Sequence, residues 1–405
     1  MKGWISMAAL AAGLAVAAPA HGSDAGYIYG RVVTEDGETY HGQLRWGDEE
    51  AFWHDTFNGT KVENEHLEYV DDDVVDRLRR EHRGFLEALF VDRDDDLRHI
   101  FAIRFGDMKR IEVGTGENVI VEFRNGEELR LRGGSNDIGA RITVVDPSAG
   151  EHRLRWSRIR TIEFMEAPQR IANKLGEPLY GTVKTGRYEF TGHIQWDHDE
   201  CLSIDELDGD TRDGDVAIPF EDIVSIRKHR QGAMVRLVDG AEEYLTGSND
   251  VNDGNRGVVV RVPGIGAVKI GWDDFDEVTF QRPAPGSGRG YAEYGKGSPL
   301  SGVVETRGGR RQGRIVFDLD ESWDFEMLHG KNGDTEYLIP FREIAQITPQ
   351  GRYRAEVRLR NGVEIELEDS QDVSRENNGL LVFEGSRRPT YVSWRDVEAI
   401  RFGEP

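Results

Sequence analysis

Alternation of apolar and polar residues, broken by short turn dipeptides, runs through most of the chain and predicts β-strands. Val357-Arg358-Leu359-Arg360-Asn361-Gly362-Val363-Glu364-Ile365-Glu366-Leu367 alternates around an Asn-Gly pair, the strongest short-range hairpin signal. The same hairpin is written twice more, over Val119 to Leu131 around Asn125-Gly126 and over Val235 to Leu245 around Asp239-Gly240. A second hairpin pattern runs from Gly181-Thr182-Val183 to Trp196-Asp197 and from Gly302 to Phe317-Asp318, closing on Ile218-Pro219-Phe220 and Ile339-Pro340-Phe341. One segment breaks the period of two. Between roughly Glu63 and His99, Val70, Val74, Leu78, Phe85 and Leu89 recur at helical spacing among Asp, Glu and Arg. This predicts one or two amphipathic helices packed on the strands, with a partner-docking element as the alternative.

The hairpins belong to a threefold repeat. Gly247-Ser248-Asn249-Asp250-Val251 matches Gly134-Ser135-Asn136-Asp137-Ile138 and, more loosely, Asp369-Ser370-Gln371-Asp372-Val373. A Trp and a closing Phe follow each copy: Trp156 and Phe164, Trp272 and Phe280, Trp394 and Phe402. Asp137 and Asp250 lie 113 residues apart and Asp250 and Asp372 122, whereas the opening phrases at Tyr29, Tyr180 and Ser301 lie 151 and 121 apart. The first copy therefore carries roughly 38 extra residues, which holds the helical segment. Breaker-rich stretches, Ala167 to Pro178 and Pro283 to Pro299, join the copies, and the second is expected to be the more mobile. The predicted fold class is all-β, with repeats at 23–167, 168–282 and 283–405, each of one or two small barrels or sandwiches, and a helical insertion at about 63–99. With its Val-x-Leu-x-Asn-Gly hairpin and Asp-Val corner, the rear half of a copy resembles the small SH3-like or Sm-like barrel. The whole chain resembles secreted bacterial β-repeat proteins of uncharacterised activity, a likeness that implies no particular chemistry.

Residues 1–22 predict a secretory signal, with Lys2 at its start, an apolar stretch from Met7 to Ala18, and Ala18-Pro19-Ala20 before cleavage after Ala20 or Gly22. A periplasmic or secreted location follows. That stretch is too short to span a bilayer, and no other long apolar run predicts an integral membrane segment. Cys201, the one cysteine, cannot form an intrachain disulfide. A formal charge of −24, with nine Lys among 51 basic residues, opposes binding to nucleic acid and anionic membrane.

Common catalytic signatures are missing: no His-Glu-x-x-His, Gly-x-Ser-x-Gly, Cys-x-x-Cys or complete EF-hand loop occurs. Gly290 to Gly297 has phosphate-loop spacing but lacks the Ser or Thr that would hold magnesium. No cofactor is expected unless it is calcium. The candidate ligands are Asp197, Asp199 and Glu200 in one acidic turn and Asp318, Asp320 and Glu321 in its counterpart, with Gly47-Asp48-Glu49-Glu50 as a degenerate copy. Hard cations collect several carboxylates, whereas the plain alternative is a solvated hairpin turn. Asp205 to Asp215 reads as a charged loop. The Ser-Asn-Asp corner is explained by the fold, because Asn and Asp cap nearby amides, and the closing Trp residues are expected in the core. Histidines do not recur in register, so neither a zinc site nor a triad is expected. These features predict a non-catalytic monomer that serves as a binding or scaffold module for a protein or glycan partner. The alternatives are a calcium-linked or carbohydrate-binding protein and a hydrolase with carboxylates from different repeats.

Overall fold

The computed structural model describes residues 22–86, 100–116, 118–133, 137–385 and 388–403. Residues 1–21, where the secretory signal is expected, Leu89 and Gly134-Ser135-Asn136 lie outside these residues. The first ten strands are β1 (Tyr29–Thr34), β2 (Thr39–Trp46), β3 (Thr56–Lys61), β4 (Ile100–Arg104), β5 (Met108–Val113), β6 (Asn118–Phe123), β7 (Glu128–Arg132), β8 (Ile142–Asp146), β9 (Gly150–Leu154) and β10 (Ile159–Phe164). A second ten follow: β11 (Tyr180–Thr185), β12 (Glu189–Trp196), β13 (Glu206–Thr211), β14 (Gly214–Pro219), β15 (Ile223–His229), β16 (Gly232–Leu237), β17 (Glu242–Leu245), β18 (Val258–Val262), β19 (Gly266–Ile270) and β20 (Phe275–Phe280). The last ten are β21 (Ser301–Thr306), β22 (Gly309–Val316), β23 (Met327–Asn332), β24 (Thr335–Pro340), β25 (Ile344–Pro349), β26 (Arg354–Leu359), β27 (Glu364–Glu368), β28 (Leu380–Phe383), β29 (Thr390–Val392) and β30 (Val397–Phe402).

All of these pairings are antiparallel, and the order of the first ten recurs in the third and, except that β13 and β14 form a sheet of their own joined to the rest by the isolated Asp210–Thr246 bridge, in the second. In the first set it runs β4-β3-β7-β6-β5-β10-β1-β2-β8-β9. In the third set β24 pairs β23, β23 pairs β27, β25 pairs β26 and β30, and β21 joins β30 to β22, which continues to β28 and β29. The front strands are thus wedged between rear strands, β1 between β10 and β2 and β2 against β8, so each set is one unit and its halves are not separate barrels. Sets two and three also share a seam, since β19 pairs with β24.

The repeated hairpin turns are built alike. Gly126, Gly240 and Gly362 have φ near +90°, while Asn125, Asp239 and Asn361 each accept a hydrogen bond from the amide two residues on. This is a type I turn followed by a left-handed glycine, which accounts for the Asn/Asp-Gly order. Alternate residues of β26 (Ala355, Val357, Leu359) then face the core.

One α-helix, α1 (Asp72–Leu86), occurs among the described residues, opened by Asp72 and Asp73 at its positive end. A short 3₁₀ turn at Glu65–Tyr69 precedes it. Val70, Val75 and Leu78 pack on Val316, Leu319 and Leu381, so the inserted helix lies on the third set and not on its own. Two expectations need correction. The second linker does not run free: Tyr291 donates its hydroxyl to the Met108 carbonyl at 2.8 Å and lies 4.6 Å from Trp53, and the Tyr294 ring covers Gly106. Aromatic side chains within a breaker-rich stretch have bound it to the first set. The acidic stretch after Asp205 is not a loop but the β13–β14 hairpin, closed by Arg212-Asp213.

Trp156, Trp272 and Trp394 are buried at the turn before the closing strand of each set, as expected. A second ring is fully buried, Trp46 or Trp196 at the end of the second strand of its set and Phe317 one residue beyond β22. Trp46 and Trp196 donate their ring N–H to the corner carbonyls of Asp137 (2.8 Å) and Asp250 (3.0 Å), a bond Phe317 cannot make. Since the third set folds with phenylalanine here, Trp196→Phe is expected to leave the fold intact. It should cost about 1–3 kcal/mol for the lost hydrogen bond and ring volume, read from urea unfolding.

Candidate functional site

The third acidic turn is buried at a junction between sets, and the first two are buried in part, with Asp48 exposed and the Asp199 side chain 39 % exposed. Each is a tight reversal in which Trp46, Trp196 or Phe317 exchanges hydrogen bonds with Glu50, Glu200 or Glu321. Asp197, His198, Asp318 and Leu319 have φ from +45° to +64° to make the reversal, where the first turn uses Gly47. Asp197 is 1 % exposed, Asp318 0 % and Asp320 4 %, which corrects the solvated-turn alternative for the third turn, while Asp199 in the second keeps contact with water.

The corner aspartates explain their recurrence. Asp137, Asp250 and Asp372 each accept the backbone N–H of the strand crossing above, from Asn58 (2.6 Å), Asp208 (2.7 Å) and His329 (2.7 Å). Asn255 and Asn377 fix the two longer corners by donating to the carbonyl of the corner acid and accepting from Gly257 and Gly379. These residues hold a backbone reversal together.

The structure also reveals a carboxylate that pattern reading missed. Five residues after the turn glutamate stands Asp55, Asp205 or Glu326, and each accepts two consecutive backbone N–H groups: Ala51 and Phe52, Cys201 and Leu202, Ser322 and Trp323. Each also meets a cation from another set. Arg45 clamps Asp205 through both nitrogens at 2.8 and 2.9 Å, Arg261 reaches Asp55 at 3.3 Å, and Lys61 binds Glu326 at 2.6 Å. Aligning the three turn glutamates would have exposed this spacing. The cations, 160 to 265 residues away along the chain, give no such signal.

Around this network, the predicted metal ligands divide. Asp197 accepts from the Arg256 amide and Asn249, and Asp199 pairs with the Arg256 guanidinium. Asp318 accepts from the Asn378 amide and Gln371, and Asp320 lies 3.2 Å from Lys61. In both turns the sequence thus supplies a cation of its own. Glu200 has a buried oxygen with no hydrogen-bond partner. In the first set, Glu49, Glu50 and Asp137 bring carboxylate oxygens within 4.8 Å of one another. Gln195 ties the first two turns together, donating to the carbonyls of Glu49 and His198 at 2.9 Å.

Burial drives the protonation of these groups. It pushes Glu50 and Glu321 well above the ordinary carboxylate range and Glu200 up to about 9, with repulsion from the corner acid of the same set adding to each. Asp137 rises to about 7, against the hydrogen bonds from Asn58. Buried histidines move the other way: desolvation lowers His66 and His198 to about 4 and depresses His54 and His193, whose rings lie 4.5 Å apart at the junction of sets one and two. Cys201 is buried beside Asp205 with its thiol raised, which keeps it unreactive.

Comparison with family models, with curated proteins and with solved structures returned no match.

Breaking a buried pair strands a charge, so Arg45→Leu is expected to cost about 3–5 kcal/mol in urea unfolding, whereas loss of the exposed pair Lys331–Glu336 should stay under about 1 kcal/mol. The titrations predict a bell-shaped pH dependence. Unfolded histidine takes up a proton near 6.5 but folded His66 and His198 only near 4, so stability falls as pH drops through that window. An unfolded glutamate ionises near 4.5 but folded Glu200 near 9, so stability falls as pH rises between those values. In calorimetry from pH 4 to 9, Glu200→Gln is expected to raise the melting temperature at pH 8 and change little at pH 4.5. His198→Gln should flatten the acid limb.

Proposed function

We propose that the chain is a non-catalytic binding scaffold, exported to the periplasm or beyond, in which three ten-strand units are held as one body for presentation to a partner. The observation that carries this reading is the wiring of the buried acids. Asp55, Asp205 and Glu326 are each committed to two backbone amides and to a cation of another set, leaving their oxygens occupied by structure. Such a frame suits recognition through its outer faces.

The first set offers a groove of about 580 Å³ on its outer face, lined by Arg31, His41, Lys109, Arg110, Glu122, Glu163, Phe164 and Met165. Strand register places Glu122, Arg110, Glu163, Arg31 and His41 in one row across five neighbouring strands. Three permanent cations line this groove in a chain of charge −24, Arg31 paired with Glu163, Lys109 with Glu122 and Arg110 with Glu112, pairs that an incoming anion would exchange, and Met165 is 41 % exposed at its end. The chemistry favours an anionic protein or glycan partner with an apolar contact.

Probing acidic-peptide and sulfated-glycan arrays with the full mature chain tests this. Binding by the unaltered protein, lost at least tenfold in Arg31→Glu with Arg110→Glu at unchanged melting temperature, is expected. Reproducible turnover of a glycoside, ester or peptide substrate, abolished by Glu50→Gln, would overturn the non-catalytic reading in favour of a hydrolase.

A further inference from the structure

We infer that copies of this chain associate head to tail, the outer edge of β9 in one copy pairing with the outer edge of β14 in the next, in the register that β19 and β24 keep within the chain. Among the described residues β9 pairs only with β8, and β14 only with β13. The β13–β14 hairpin shows which backbone groups are on offer. Asp210 exchanges two hydrogen bonds with Thr246, and Asp208 gives its amide to Asp250. Asp215 and Ala217, which face these two residues across the hairpin, therefore turn their amides and carbonyls outward, and both are exposed. Such a row is a template for another strand.

The chain already contains this seam once. Ile142 faces Leu154 as Val258 faces Ile270, so β9 is the counterpart of β19, and β14 and β24 both run into Ile-Pro-Phe. In the β19–β24 ladder Ala267 faces Leu338, Val268 faces Tyr337, Lys269 faces Glu336 and Ile270 faces Thr335. The same register sets Glu151 against Ala217, His152 against Val216, Arg153 against Asp215 and Leu154 against Gly214. The cross-strand pair of opposite charge is kept, with arginine for lysine and aspartate for glutamate. Beside the internal seam Phe190 lies 6.4 Å from Tyr337, which is 4 % exposed. Their counterparts Tyr40 and Val216 are only half-buried, and the Tyr40 ring lies 4.4 Å from that of His152. A second copy covers both.

The two other edges of this kind lack the charges. β4 carries Ile100 where β14 has Asp215, and β29 carries Tyr391 where β9 has Arg153. Tyr391 is engaged besides, its hydroxyl donating to the Asn378 carbonyl and its ring packed in the cluster under α1. Within one chain, sets one and two are joined through Arg45–Asp205 and Arg261–Asp55, and β9 and β14 stay unpaired with each other. The strand that completes each edge therefore comes from another copy, each copy giving one edge and receiving the other. Arg153 is 65 % exposed and 3.7 Å from Glu151, a solvated pair that costs little to exchange for Asp215. This departs from the monomer expected from the sequence.

Sedimentation velocity of the full mature chain from about 1 μM to about 1 mM, in about 0.15 M salt to screen the net charge, tests the seam. The sedimentation coefficient is expected to rise with concentration. Arg153→Asp and Asp215→Arg each bring like charges together and should weaken association by about tenfold or more at unchanged melting temperature. An equimolar mixture of the two variants should regain it, since altered edge then meets altered edge and unaltered meets unaltered. Ala217→Pro, which removes an outward amide and no bond within the hairpin, should also weaken association. Should that variant fail to fold, the two charge variants carry the comparison. A chain that stays monomeric to about 1 mM overturns the proposal. So does association that survives both charge variants, that responds to only one of them, or that their mixture fails to restore.

Discussion

The structure depends on a carboxylate buried beneath each acidic turn. Two backbone amides point at Asp55, Asp205 and Glu326, satisfying part of the charge but leaving a negative ion away from water. Such an ion is tolerable only with a cation in contact, and in each set the cation comes from elsewhere. Arg45 and Arg261 are traded between the first two sets, and Lys61 goes from the first to the third. The turn geometry, the corner beneath it and the seams between sets therefore form one electrostatic problem with one solution.

The three copies solve the shared problem with different residues. The buried acid is aspartate twice and glutamate once, the cation arginine twice and lysine once, and the ring over the corner changes from tryptophan to phenylalanine. Arginine grips Asp205 with both nitrogens, whereas Lys61 places a point charge between Glu326 and Asp320. These differences make the contacts specific to their partner. A set placed in the wrong position would face the wrong length of acid or the wrong shape of cation, so the ordering of the sets is written in their charges.

Much of the fold was legible in the chain. Alternation and the Asn/Asp-Gly pairs gave the hairpins around Gly126, Gly240 and Gly362, and helical spacing gave α1, because both depend on residues close in sequence. Burial of the acidic turns was not legible, since Asp318 or Asp197 in a short acidic run looks the same whether water or a neighbouring set covers it. Tyr291 and Tyr294 had the same ambiguity among glycines and a proline-rich start, and only the first set supplied the surface they needed. The candidate site was half visible. The acidic turns stood out by composition, whereas the trio with Asp137 joins residues almost ninety apart.

The exchange of cations also has a consequence in time. As the chain is made from its first residue, Arg45 and Lys61 appear long before Asp205 and Glu326, and Asp55 appears long before Arg261. The first set therefore cannot settle its own charges when it emerges. It waits, with an acid and two bases unmatched, until most of the remaining chain has followed, and such distant pairings slow folding. Completion of the N-terminal third is thus timed by the C-terminal third, so a truncated chain leaves its earliest part unfinished.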